Sequence, residues 1–176
     1  KGRPAHPNLT MCLVRDDLLA EMQRLPQRAP SLELTKIQAA QAKGSHPYTI
    51  DPMSLRQVEA ALEELASEGG VAGRNAVYRA RAELLREGFE RAGLVIARWE
   101  GMPLSSIGTA LELPKTISYE VLARRLASDE VDGHTFEIYA AQGKLSARLF
   151  RIFHMGSYEL EVYRVFLRAL EQALAS

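Results

Sequence analysis

Leu149-Phe150-Arg151-Ile152-Phe153 is a run of large apolar side chains with one permanent charge at its centre. Aromatic and branched residues at this density favour an extended strand, and alternation turns Arg151 away from Phe150 and Ile152. A guanidinium inside such a run must either reach water on the opposite face or pair with an anion. Two readings therefore stand side by side: an arginine on the wet face of an antiparallel strand, or a fork that binds a carboxylate or phosphonate.

Working outward from this strand, Phe136-Glu137-Ile138-Tyr139 and Ile107 to Leu113 are expected to be strands as well. Ser118 to Ala127 carries Tyr119, Leu122 and Leu126 at helical spacing, and a final helix from about Tyr158 to Ala173 presents Tyr163, Phe166, Leu167, Leu170 and Leu174. The economical assembly is a small antiparallel sheet with helices on one face. Further upstream, the spacing predicts a helix from about Val71 to Ala92, ending at Gly93 and spanning about 33 Å, a length that suits a strut between two domains.

Ser54 and Gln57 read as a capping box for an earlier helix with Leu55, Val58, Leu62 and Leu65 on one face and Gly69-Gly70 as its stop. Before it, Gln27 to Pro52 is irregular and polar, with a short helix possible over Leu32 to Ala42. Asp16 and Asp17 open a helix that Pro26 and Pro30 stop. Leu9 to Val14 is apolar without alternation, which predicts a strand covered on both faces. The fold class is thus an α/β mixture in two parts, residues 1–68 and 69–176, with the boundary near Gly69.

The chain has 176 residues, 47% of them hydrophobic, enough to bury one good core. Twenty-two basic residues balance twenty-two acidic ones, so the bulk positive field that draws nucleic acid or anionic membranes is missing, and neither partner is expected. No apolar run approaches the roughly 20 residues of a bilayer span. Cys12 is the single cysteine, which rules out an internal disulfide, fits a cytoplasmic location and points to small-residue packing.

Local motifs with a chemistry of their own are few. The sequence lacks a Gly-rich phosphate signature and a metal-type cysteine pair. His6, His46, His134 and His154 show no ligand spacing and read as surface or hydrogen-bonded core imidazoles, so no metal is expected.

The order Phe136-Glu137-Ile138-Tyr139-Ala140-Ala141-Gln142-Gly143, then Leu149-Phe150-Arg151-Ile152-Phe153-His154-Met155-Gly156, resembles the C-terminal signature of class V pyridoxal-phosphate-dependent aminotransferases. Its first part is similar to the 2-aminoethylphosphonate:pyruvate transaminases. Gly69-Gly70-Val71 with Arg74 and the Tyr78 helix resembles the same family, as does the helix from Ser54 to Glu64. His154 is instead similar to the alanine or serine:glyoxylate enzymes, as is Gly143-Lys144-Leu145.

The resemblance implies the C-terminal half of a fold-type-I enzyme: the end of a cofactor-binding large domain over residues 1–68, then the small domain. It implies pyridoxal 5'-phosphate as cofactor, an anionic amino donor and a 2-oxo acid as substrates, and a homodimer. Lys1, in register with the family's Pro-containing loop and following strand, would carry the cofactor and act as catalytic base, although by itself it reads as an exposed terminal charge. Thr49 would reach a partner subunit's cofactor phosphate, or else cap a local turn. Arg151 would hold the substrate's anionic end. The acid facing the pyridine nitrogen, the stacking aromatic and the main phosphate loop belong to the family's N-terminal half, so catalysis is expected only with that half present. The rival expectation is a non-catalytic dimerisation domain derived from the same fold.

Overall fold

The computed structural model describes residues 9–26 and 29–175. The chain falls into two compact units, Lys1–Ser67 and Glu68–Ser176.

Among its described residues the first unit holds three α-helices: α1 (Asp16–Met22), α2 (Leu34–Gln41) and α3 (Pro52–Ser67). The expected capping box does not form at α3. Asp51 takes that role, accepting hydrogen bonds from the backbone N–H groups of Met53 (3.0 Å) and Ser54 (3.2 Å) and from the Ser54 hydroxyl (2.7 Å). Pro52 at the first helical position explains the shift, since its missing N–H costs nothing there and its fixed φ already suits a helix.

Leu9 to Val14 does not form the expected buried strand. The segment has no regular secondary structure, and Met11 and Leu13 are exposed, Leu13 completely. Apolar composition alone does not make a strand, because the backbone needs a neighbour to satisfy its N–H and C=O groups. Cys12, expected to pack, is exposed here as well.

The second unit carries α4 (Gly70–Arg91), β1 (Gly108–Glu112), α5 (Tyr119–Ser128), β2 (Tyr139–Ala140), β3 (Leu149–Phe153) and α6 (Leu160–Ala175). Its three strands form an antiparallel sheet in the order β1-β3-β2. Leu111, Phe150 and Ile152 enter a core shared with Leu85 and Phe89 of α4, Leu122 and Leu126 of α5, and Leu170 of α6. The opposite sheet face carries Ala110, Tyr139, Arg151 and Phe153, so the helices cover one side only.

The predicted strand over residues 136–139 shrinks to Tyr139–Ala140. Phe136 is drawn elsewhere: its N–H donates to the carbonyl of Leu126 at the end of α5 (2.7 Å), and its ring meets Phe166 of α6 edge-on at 5.2 Å. Along the other side of the sheet, segment 95–97 lies against β1, with Glu112 N–H bonded to the Val95 carbonyl (2.8 Å) and Ala97 N–H to that of Ala110 (2.9 Å). Ser118 caps α5 through a bond from the Val121 N–H (3.3 Å).

Candidate functional site

β3 is the central strand, and its backbone is bonded on both sides. Arg151 lies opposite Ala110 of β1 and Tyr139 of β2, on the sheet face that the helices leave open. Its backbone is therefore held by strands on both sides, while its charged end faces away from the core.

The guanidinium of Arg151 is half-buried and forms no ion pair among the described residues. Its Nε is buried without a hydrogen-bond partner, and Nη2 makes one long contact, 3.4 Å, to the Ala140 carbonyl. Its carbon sits 5.5 Å from the centre of the Phe153 ring, a cation–π contact. A cleft of about 450 Å³ opens beside it, lined in part by Phe136, Glu137, Tyr139, Phe153 and Tyr158. A cation whose donors are this poorly satisfied, at the rim of a cleft, is suited to an anionic ligand.

Directly after β3 comes His154, whose ring is fully buried and makes no hydrogen bond through either nitrogen. The expectation of an exposed or hydrogen-bonded imidazole is corrected on that point. Burial, and after it the positive charges of Arg86 and Arg81, push the ring's pKa down from 6.5 to about 4, so it is neutral at physiological pH. Arg86 donates through Nη2 to the Ser105 carbonyl, just before β1. Arg81 donates to the carbonyls of Gly156 (2.6 Å) and Tyr158 (2.8 Å), just after β3. Both arginines are on α4, and the sequence reading missed them because one cation on an arginine-rich helix looks like another.

Thr49 is exposed in the loop between α2 and α3, and its hydroxyl makes no hydrogen bond among the described residues. The neighbouring Tyr48 hydroxyl donates to the Pro30 carbonyl at 2.5 Å, and the helix cap falls to Asp51. Thr49 and Arg151 belong to different units, and Lys1 lies outside the described residues. Among the described residues no His, Cys, Asp or Glu cluster has the makings of a metal site, and no helix is long and apolar enough to cross a membrane.

No protein-family model and no curated protein matches the sequence. Several solved structures match the fold. An alanine–glyoxylate aminotransferase from Nostoc sp. superimposes with a TM-score of 0.73 and 22% identity, covering 91% of this chain and 42% of that one. For a pyridoxamine–pyruvate aminotransferase from Mesorhizobium loti the values are 0.74 and 23%, over 92% of this chain and 41% of that one. A subgroup IV aspartate aminotransferase from Thermus thermophilus gives 0.66 and 27%, over 86% and 42%. The chain thus has the fold of the C-terminal part of these aminotransferases and spans about two fifths of their length.

Proposed function

We propose that this chain is the C-terminal part of a class V, pyridoxal-phosphate-dependent aminotransferase, in which Arg151 holds the anionic end of both the amino donor and the 2-oxo acid acceptor. The observation that carries this reading is the half-buried, unpaired guanidinium on the central strand, facing a cleft, within a fold otherwise met in aminotransferases.

The described residues offer the cofactor one group of suitable chemistry. Thr49 presents an exposed hydroxyl, a donor that fits a phosphate oxygen. Lys1 completes the set as the attachment point. When bound, pyridoxal phosphate supplies the electron sink that lets a carbon–hydrogen bond beside the amine ionise. Once its amine is free, Lys1 would take up and release a proton at Nζ. Arg151 fixes the substrate's anion with charge-assisted hydrogen bonds, so that the reacting carbon has a single orientation. In this reading residues 1–68 close the cofactor-binding domain, residues 69–176 form the small domain, and the enzyme is a cytoplasmic homodimer.

Transfer from 2-aminoethylphosphonate to pyruvate is the reaction favoured by the Phe136 to Gly143 resemblance. The alanine or serine:glyoxylate type is the second reading, supported by the buried His154. Arg151→Ala in the complete protein tests the common part. The Michaelis constants of the anionic substrates should rise roughly 10- to 100-fold, the worth of one or two charge-assisted hydrogen bonds, with cofactor absorbance unchanged. Unaltered substrate kinetics would remove Arg151 from the site.

A further inference from the structure

We propose that Arg81 is a positioning residue for Arg151, acting through the turn that leaves β3. The inference rests on the role given to Arg151 above.

The turn over residues 154–158 joins β3 to α6, and three of its carbonyls are gathered by two side chains from different helices. From α4, the Arg81 fork donates to Gly156 (2.6 Å) and Tyr158 (2.8 Å). From α6, the Tyr163 hydroxyl approaches the carbonyls of His154 (3.3 Å) and Gly156 (3.5 Å). The two side chains also hold each other, with the guanidinium 5.4 Å from the centre of the Tyr163 ring. Gly156 adds a steric constraint, because a Cβ there would lie 2.5 Å from the Tyr158 ring.

This arrangement bears on the cleft because the turn begins and ends at cleft-lining residues. Phe153, the last residue of β3, has its ring against the Arg151 guanidinium, and Tyr158 lines the same cleft from the far end of the turn. Arg151 has almost no hydrogen bonds of its own to hold its charged end in place. Its direction is therefore set by the Phe153 ring and by the cleft wall. A planar fork can hold two carbonyls at a fixed spacing; a lysine ammonium, a single point of charge on a flexible stem, cannot.

The test is a double-mutant cycle on the complete protein with Arg81→Lys and Arg151→Ala, reading the dissociation constant for pyruvate by calorimetry together with KM and kcat. Arg81→Lys should weaken pyruvate binding about tenfold when Arg151 is present and less than about twofold when it is not. KM should rise while kcat stays near its original value. Arg125→Lys is the control: it disturbs another arginine–carbonyl contact of this unit, to Ala173 at 2.7 Å, and should leave pyruvate binding unchanged.

If the two penalties simply add, or if Arg125→Lys weakens binding equally, Arg81 has only a general structural role and the inference is overturned. If Arg151→Ala itself leaves pyruvate binding intact, the assignment of Arg151 has failed, a result distinct from additivity. Should Arg81→Lys not fold, Tyr163→Phe removes only the hydroxyl from the same turn. It should reproduce the coupling to Arg151 at about threefold, and additivity there would count equally against the proposal.

Discussion

Replacing His154 with leucine removes a proton-binding site and leaves an apolar side chain of similar bulk in the same buried position. In the folded wild-type chain the imidazole titrates at about 4, because burial and then Arg86 and Arg81 oppose its charged form. Unfolded, it titrates near 6.5. Above pH 6.5 the ring is neutral in both states and contributes no pH dependence. Between pH 6.5 and about 4 the unfolded chain takes up a proton that the folded chain refuses, so stability falls as the solution is acidified. At about 1.4 kcal/mol per pH unit the whole window amounts to about 3 kcal/mol, and below it the loss levels off. Urea unfolding at pH 7, 5.5 and 4.5, followed through near-ultraviolet circular dichroism and the fluorescence of the single tryptophan Trp99, isolates the effect as a difference between wild type and His154→Leu. Relative to the leucine variant, wild type should lose about 2 to 3 kcal/mol between pH 7 and pH 4.5, while the carboxylates common to both cancel. A difference that stays constant over this range would mean that His154 is solvated or hydrogen-bonded, and the account of the end of β3 would fail.

Two further substitutions probe other parts of the molecule. At Gly88 on α4 an added Cβ would come within 2.4 Å of both δ carbons of the buried Leu167 on α6. Crowding of about 1–3 kcal/mol outweighs the gain of about 1 kcal/mol from alanine in a helix, so Gly88→Ala should destabilise the unit by about 1 kcal/mol in calorimetric or urea unfolding. A stabilised variant would show that α4 and α6 are not so close. Thr49→Ala should weaken retention of pyridoxal phosphate by the complete protein about tenfold in equilibrium dialysis, the worth of one hydrogen bond to a charged group. Unchanged retention would leave Thr49 as a loop residue without a cofactor role.

The parts of the fold that were legible in the sequence are those whose periodicity and packing agree. Leu149 to Phe153 is a strand because its alternate side chains enter a core already stocked by α4, α5 and α6. Residues 136–139 look as strand-like, yet Phe136 gains more by closing α5 and meeting Phe166, a tertiary choice that no local pattern encodes. At α3 two start signals compete, and Asp51 before Pro52 is as good a helix start as Ser54 with Gln57. Asp132-Gly133, where both residues take positive φ in a tight turn, is a further signal carried by the sequence itself, because this dipeptide favours a two-residue hairpin turn.

For the candidate site, Arg151 could be picked out by its charge within an apolar run. Arg81, Arg86 and the unbonded ring of His154 could not, because their significance lies in contacts between residues about 20 to 80 positions apart. Leu9 to Val14 is the opposite case: its composition is that of a core strand, while its surroundings among the described residues are not.

The small sheet offers little to a stray chain. On one flank segment 95–97 already occupies the hydrogen-bonding groups of β1, and on the other β2 is only two residues long. Units of this kind cannot readily be zipped together through their backbones, the route by which exposed strands template fibrils. An assembly of such units would draw chiefly on side chains, whose identity evolution can alter one residue at a time.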